Sequence, residues 1–372
     1  MPASLFDQYL DEPANPLVQK AVDEGWIPLG YTCSYVPRVL LSIPPLFPVR
    51  VRAPGVGDTE LADIYLSKLT CSYTRSLLEF AMDFRYDFLG GWVHTASCDH
   101  LRRLHDNLCY LMPPDFSHIL DVPHRTVKEG VAWYVDELRE LMAHLEAHFQ
   151  VSFTDEAVIT AVNEENDFLA LLRSIAELRK QDCPPLSGTE FHRLLLTAFK
   201  SPRHLVRKPI EDFRDRLKEG RRTENHRARL MLVGGQLDDP RYIEAIESTG
   251  ALVVADRFCT GSIPGLSPIP LGGNPLLSIA EHILSAPSCP RMMEDFDKRL
   301  KQIVDAAADF RVDGIILEYI KFCDTWGVES ASLVDALRKA GLRVLVLERE
   351  YSGTGLGQLQ TRIQAFLESM GK

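Results

Sequence analysis

The stretch Asp313-Gly-Ile-Ile-Leu-Glu-Tyr319 decides the fold class of this chain of 372 residues. Its nearly continuous apolar run is typical of a strand that is buried on both faces of a parallel sheet. Similar runs occur at residues 229–234, 251–256 and 343–348, and helical patterns separate them. Because each strand–helix–strand unit takes a right-handed crossover by default, residues 227–372 are predicted to form a doubly wound C-terminal α/β domain.

A second set of strands is predicted in the N-terminal part of the chain. These strands fall at residues 26–33, 48–53, 88–95 and 116–122. Helices are predicted between them, at residues 64–84 and 100–111. This alternation favours a second parallel sheet, so residues 1–126 are predicted to form an N-terminal α/β domain. We expect both domains to have a Rossmann-like or flavodoxin-like architecture.

The middle of the chain, residues 127–226, has almost no strand signal. Between residues 127 and 149, apolar side chains recur at steps of three and four residues, as on one face of an amphipathic helix. Further helices are predicted at residues 155–179, 190–200 and 205–221. We predict a connecting helical segment that packs on the two domains or bridges them, with a boundary near residues 222–228.

The composition excludes some classes of partner. The formal net charge is −11, with 41 Lys and Arg against 52 Asp and Glu. Such a chain lacks the basic face that a phosphate backbone requires, so no nucleic-acid partner is expected. The sequence has no apolar run of about 18 residues and no signal-peptide pattern. We therefore expect a soluble cytoplasmic protein with no membrane partner.

Eight cysteines are too sparse for a disulfide scaffold, and in a reducing cytosol they are buried thiols, nucleophiles or metal ligands. No Cys-x-x-Cys pair marks a local metal site. The two halves of the chain are alike, however, because Ser97-Cys98-Asp99 and Phe322-Cys323-Asp324 each follow the third predicted strand of their domain. Ligand sites of open α/β sheets lie at the carboxyl ends of the strands, so we expect Cys98 and Cys323 to face one cleft. The pattern alone leaves both a metal site and buried structural thiols open.

Five segments carry a resemblance to a known family. They are Tyr31-Thr-Cys33-Ser-Tyr-Val-Pro37, Leu69-Thr-Cys71-Ser-Tyr-Thr-Arg75-Ser76, Thr95-Ala-Ser-Cys98-Asp99-His-Leu-Arg-Arg103, Lys321-Phe-Cys323-Asp324-Thr-Trp-Gly-Val-Glu329-Ser330, and the stretch from Glu350-Tyr-Ser352 to Gly357-Gln-Leu-Gln-Thr-Arg362-Ile-Gln-Ala-Phe366. In this order, from about residue 25 to residue 368, the chain resembles the 2-hydroxyacyl-CoA dehydratase and benzoyl-CoA reductase family.

The resemblance implies a site as well as a fold. Proteins of this family hold an oxygen-sensitive iron–sulfur cluster between two α/β domains, on three cysteines. Mapped onto this sequence, the implied ligands are Cys71, Cys98 and Cys323. The implied cofactor is a 4Fe-4S cluster, with a double-cubane 8Fe-9S cluster as the alternative. Cys33 and Ser34 would line the substrate pocket, and the replacement of one ligand by Cys33 stays open.

The activity that the resemblance implies is ATP-activated radical chemistry on acyl-CoA thioesters under anaerobic conditions. A separate ATP-hydrolysing activator protein donates one low-potential electron, which the cluster passes to the thioester. The chain would be one subunit of a heteromer with a homologous second subunit. The enzyme would be a 2-hydroxyacyl-CoA dehydratase, which is a lyase, or an aryl-CoA reductase, which is an oxidoreductase.

Two alternatives accompany this interpretation. One is a homodimeric double-cubane reductase of small molecules, and the other is a non-catalytic companion subunit that relays electrons. The segment Asp99-His100-Leu101-Arg102-Arg103 differs from the Asp-Gly-Lys-Lys-Lys pattern of the homodimeric relatives. This departure favours the heteromeric type.

Overall fold

The computed structural model, which describes residues 5–219, 223, 225–286, 289–353 and 355–372, contains two four-stranded parallel sheets flanked by helices. The predicted α/β fold class is confirmed. Both sheets have the same strand order, 2-1-3-4, when the strands of each sheet are numbered along the chain. The second strand lies on one side of the first, and the third and fourth lie on its other side. The direction of winding therefore reverses between the first and third strands, and this is where open α/β sheets bind ligands.

The N-terminal sheet has the order β2-β1-β3-β4. Its elements, in chain order, are α1 (Pro16–Asp23), β1 (Ile27–Tyr31), β2 (Leu46–Arg50), α2 (Ala62–Tyr65), α3 (Ser72–Met82), β3 (Gly91–Thr95), α4 (Asp99–Leu111) and β4 (Ser117–Leu120). The strands are short, and their apolar side chains pack between the sheet and its helices.

The prediction of one continuous helix over residues 64–84 is wrong, because α2 and α3 are separate. Polar side chains of α3 pair with one backbone group at the start of α2 and with another in the break. The Glu79 carboxylate accepts a hydrogen bond from the Ala62 N–H at 2.8 Å, and the Arg75 guanidinium donates to the Thr70 carbonyl at 3.0 Å. As a result Cys71 precedes the start of α3 and does not lie within a helix.

Four helices form the middle of the chain. They are α5 (Lys128–Phe149), α6 (Asp155–Glu177), α7 (Gly188–Lys200) and α8 (Arg203–Glu219). Their starts follow local rules: Thr154 caps α6, and Ser187 forms a reciprocal capping box with Glu190 at α7. The apolar face of α5 packs against the N-terminal sheet, while α7 contacts β2 and also a strand of the second sheet.

The C-terminal sheet has the order β6-β5-β7-β8. Its elements are β5 (Ala228–Gly234), α9 (Pro240–Glu247), β6 (Ala251–Arg257), α10 (Pro275–Ser285), α11 (Phe296–Asp309), β7 (Gly314–Ile320), α12 (Asp324–Lys339), β8 (Val344–Arg349) and α13 (Leu356–Ser369). Every residue of β5 and β6 is buried, as the continuous apolar runs predict.

Tyr351 joins the two domains. Its hydroxyl donates a hydrogen bond to the Asp238 carboxylate at 2.8 Å and accepts one from the Ala53 N–H at 3.0 Å. Its backbone N–H donates to the Ser72 hydroxyl at 2.8 Å. Ser72 directly follows Cys71, so these contacts tie the start of α3 to the C-terminal domain. Within the described ranges, no helix combines the length and the apolar character needed to cross a bilayer.

Four histidines, of which three are buried and His282 is half-buried, predict a loss of stability in mild acid. Burial lowers the pKa of His94 to about 3, and the pKa values of His118, His192 and His282 to about 4. Because the unfolded chain binds these protons near pH 6.5 and the folded chain does not, the contribution of these histidines to the free energy of unfolding should be level above that pH. It should fall between pH 6.5 and 4, by up to about 1.4 kcal/mol per pH unit for each histidine.

Urea unfolding at pH 7.5, 6.0 and 5.0 measures this slope. We expect His94→Gln to have a shallower slope than the wild type, and the exposed His124 provides the matched control His124→Gln. Equal slopes for wild type and His94→Gln would contradict the assignment of the proton uptake to His94.

Candidate functional site

Three cysteines each occupy the residue that immediately precedes a helix. Cys71 precedes α3, Cys98 precedes α4 and Cys323 precedes α12. The first-turn N–H groups of a helix are unpaired and lie at the positive end of its dipole, so they favour negative charge on a nearby sulfur. Asp99 and Asp324 occupy the first turns of α4 and α12, where a carboxylate also stabilises the helix.

The three thiols line one cavity of about 210 Å³ between the two domains. The cavity lies at the carboxyl ends of β1, β3, β5 and β7, where the winding of both sheets reverses. The structure therefore places Cys98 and Cys323 in the common cleft that the strand rule predicts. Cys71 reaches the same cavity from the connection between β2 and β3.

The electrostatics of the trio show that its members are neighbours. Burial raises the pKa of Cys71, of Cys323 and, most strongly, of Cys98. After burial, the largest cause for Cys98 is the negative charge that the Cys71 sulfur carries when ionised, and an ionised Cys323 raises the pKa of Cys98 further. The first-turn amide of Leu101 acts in the opposite direction on Cys98. Without a cation the cavity thus holds neutral thiols, and a positively charged group that bound them would favour thiolates.

Three more cysteines line the same cavity, so that six of the eight in the chain face it. These three are Cys33, Cys259 and Cys289. Burial raises the pKa of Cys289 to about 11 and that of Cys259 further. The Thr325 hydroxyl links the two sets, because its oxygen lies 3.6 Å from the Cys323 sulfur and 4.0 Å from the Cys289 sulfur.

The loop of Cys33 and Ser34 forms part of the cavity wall. The Ser34 hydroxyl donates to the Cys259 carbonyl and accepts a hydrogen bond from Arg50 at 2.8 Å. Arg50 also donates to the Gln236 side chain at 2.9 Å, and thereby connects the loop to the C-terminal domain. Sequence reasoning missed Arg50, although a charged residue at the end of a buried strand is an available signal.

The donor set of the cavity determines which metal group it fits. Across the part of the chain that the structure describes, no three His, Cys, Asp or Glu side chains form a preformed site for a metal ion. Ligands of a single ion must converge on one point, whereas a cluster offers several irons and accepts sulfurs that stand farther apart. A trio of thiols at three helix starts around one cavity, with Cys71 buried and Cys98 and Cys323 half-buried, fits the soft ligand set of an iron–sulfur cluster.

Comparison with known proteins gives matches over nearly the whole chain. A family described as 2-hydroxyglutaryl-CoA dehydratase, D-component, matches residues 33–370. The chain is 22% identical to the (R)-phenyllactyl-CoA dehydratase beta subunit of Clostridium sporogenes over 368 residues, which cover 98% of this chain and 97% of the relative. It is 23% identical to one of the subunits of the benzoyl-CoA reductase of Thauera aromatica, covering 85% and 83% of the two chains. It is 20% identical to the beta subunit of the (R)-2-hydroxyglutaryl-CoA dehydratase of Acidaminococcus fermentans, covering 99% of both.

Proposed function

The chain belongs to the 2-hydroxyglutaryl-CoA dehydratase D-component family, and from this premise we propose that it is the iron–sulfur subunit of an enzyme that acts on acyl-CoA thioesters. One observation carries the proposal: Cys71, Cys98 and Cys323, which are remote in sequence, line a single cavity from three helix N-termini. In this proposal they bind a 4Fe-4S cluster.

The chain's own residues have three tasks in this proposal. The three thiols hold the cluster as thiolates, and the first-turn amides of the three helices stabilise the negative charge on sulfur. Apolar side chains such as Leu101, Ile320 and Trp326 line the cavity and exclude water. When bound, the cluster supplies one-electron transfer at a low potential. Cys33 and Ser34 are proposed to contact the thioester from the adjacent wall.

The reaction and the partners are proposed from the relatives. Relatives are named as subunits of dehydratases and of a benzoyl-CoA reductase, so we propose dehydration of a 2-hydroxyacyl-CoA or reduction of an aryl-CoA. Because two of them are named as beta subunits, we propose a homologous second subunit for this chain. An ATP-dependent activator protein is proposed as the electron donor, since the reaction needs an electron of low potential.

Purification under strict exclusion of oxygen tests the proposal. We expect brown protein with about four iron atoms and about four sulfide ions per chain, and we expect exposure to air to bleach it. Colourless protein without iron, equally stable with and without air, would overturn the proposal. Protein that contains only zinc would also overturn it, because zinc does not transfer electrons.

The six cysteines around the cavity favour a second candidate. Cys33, Cys259 and Cys289 supply three thiols beyond the trio, so the cavity wall has enough sulfur for a double-cubane 8Fe-9S cluster. Such a cluster would point to a homodimeric reductase of small molecules. The same iron analysis separates the two candidates, because the double-cubane cluster would give about eight iron atoms per chain and the first candidate about four.

A further inference from the structure

One side chain, His100, contacts or borders all three loops that carry the trio of thiols. It lies in the first turn of α4, two residues after Cys98. The Cys71 backbone N–H donates a hydrogen bond to His100 Nδ1 at 3.3 Å. On the other side of the ring, His100 Nε2 lies 3.8 Å from the carboxylate of Asp324, the residue that follows Cys323.

These two contacts define the tautomer and the orientation of the His100 ring. Because Nδ1 accepts from the Cys71 N–H, the ring proton of neutral His100 is assigned to Nε2. The Nε2–H therefore faces the Asp324 carboxylate. A histidine held between a backbone group and a carboxylate has a fixed orientation, as in the outer shells of many metal sites. The His100 side chain is only 14% exposed, while that of Asp324 is 72% exposed.

The contacts also connect the two domains. Cys71 and Cys98 belong to the N-terminal domain, and Asp324 begins α12 of the C-terminal domain. Rotation of one domain against the other would separate Cys323 from the other two thiols. The His100 ring opposes this separation at the site itself. Tyr351 opposes it through hydrogen bonds to Asp238 and to Ser72 at the start of α3.

From this geometry we infer that His100 is a positioning residue, which fixes the separation of the three thiols and so sets how tightly the cluster is held. The inference rests on the proposed function, because it assumes that these thiols bind a cluster. His100 is assigned no contact with substrate and no proton transfer. Its role is carried out through the Cys71 N–H and the Asp324 carboxylate.

The test compares four variants, purified anaerobically, by iron release to a ferrous chelator and by reduction potential. For His100→Ala we expect iron release about tenfold faster or more, because loss of an outer-shell partner costs about 10–100-fold in metal affinity. We expect His100→Asn to recover most of the retention, since its side-chain oxygen can still accept from the Cys71 N–H. Asp324→Asn should fall between the wild type and His100→Ala. The matched control is His105→Ala, on the same helix but in contact with His94 and Cys109.

The outcomes separate a positioning role from a general loss of stability. A shifted reduction potential in the His100→Ala molecules that still hold a cluster supports the inference, and an unchanged potential overturns it. Equal iron release from His100→Ala and His105→Ala would also overturn it. If the wild type contains iron and His100→Ala has the same iron release and the same reduction potential, only this inference is overturned. If the wild type contains no iron, the proposed function is overturned as well.

Discussion

Replacement of Cys98 by Ala is expected to remove nearly all of the iron from anaerobically purified protein. Loss of an outer-shell partner costs about 10–100-fold in metal affinity, and loss of a ligand should cost at least as much. The sulfurs of Cys71 and Cys323 both raise the pKa of Cys98, so all three belong to one electrostatically coupled group. We therefore expect less than about one iron per chain where the wild type holds about four. Cys323→Ala should give the same result.

Cys109 provides the matched control, since it lies on α4, the helix that Cys98 precedes, and does not line the cavity. Its sulfur contacts His105 and Ser117 at 3.5 and 3.6 Å. Cys109→Ala should keep the full iron content and the brown colour. The substituted proteins should stay folded, because the thiols that remain are neutral and tolerate burial without a ligand, and circular dichroism checks this. Full iron content in Cys98→Ala and Cys323→Ala would remove both residues from the ligand set.

The fold was largely predictable because buried parallel strands leave a strong signal in the sequence. All four predicted C-terminal strands overlap β5 to β8, since an unbroken apolar run of that length is typical of a buried parallel strand. The N-terminal strands are shorter and carry Gly, Pro and charged residues, so β3 begins at Gly91 while the pattern indicated residue 88. Within the break between α2 and α3, Arg75 donates a hydrogen bond to the Thr70 carbonyl, a contact that periodicity does not register.

The site was predictable only where a strand leads into it. Cys98 and Cys323 follow β3 and β7, so the rule for ligand sites in α/β sheets places them in the cleft. Cys259 lies two residues after the end of β6, so the same rule also places it in the cleft. Cys71 and Cys289 lie in connections with no strand signal before them, and only the resemblance pointed to Cys71. The cluster itself stays a proposal, as do the roles of Cys33 and Ser34.

The largest expected loss of stability comes from Arg179, which attaches the turn after α6 to the C-terminal sheet. Arg179 is 1% exposed, and its guanidinium lies 2.7 Å from the carboxylate of Asp256 in β6. It also donates to the Ser262 hydroxyl at 2.9 Å and stacks over the Phe191 ring at 3.7 Å. Arg179→Met would leave the Asp256 charge buried without its cation. We expect the free energy of unfolding to fall by about 3–5 kcal/mol, measured by urea denaturation.

A double-mutant cycle assigns this loss to the ion pair. Asp256→Asn in the Arg179→Met background should recover part of the lost free energy, because no unpaired charge then remains in the interior. Arg139→Met is the matched control, since Arg139 pairs with Asp136 on the exposed face of α5 and should cost less than about 1 kcal/mol. If Arg179→Met cost no more than Arg139→Met, the pair would not hold the helical segment to the sheet. The position of α6 beside the cavity would then depend on apolar packing and on its other polar contacts, such as the hydrogen bonds of Asn166 to the Ile269 backbone.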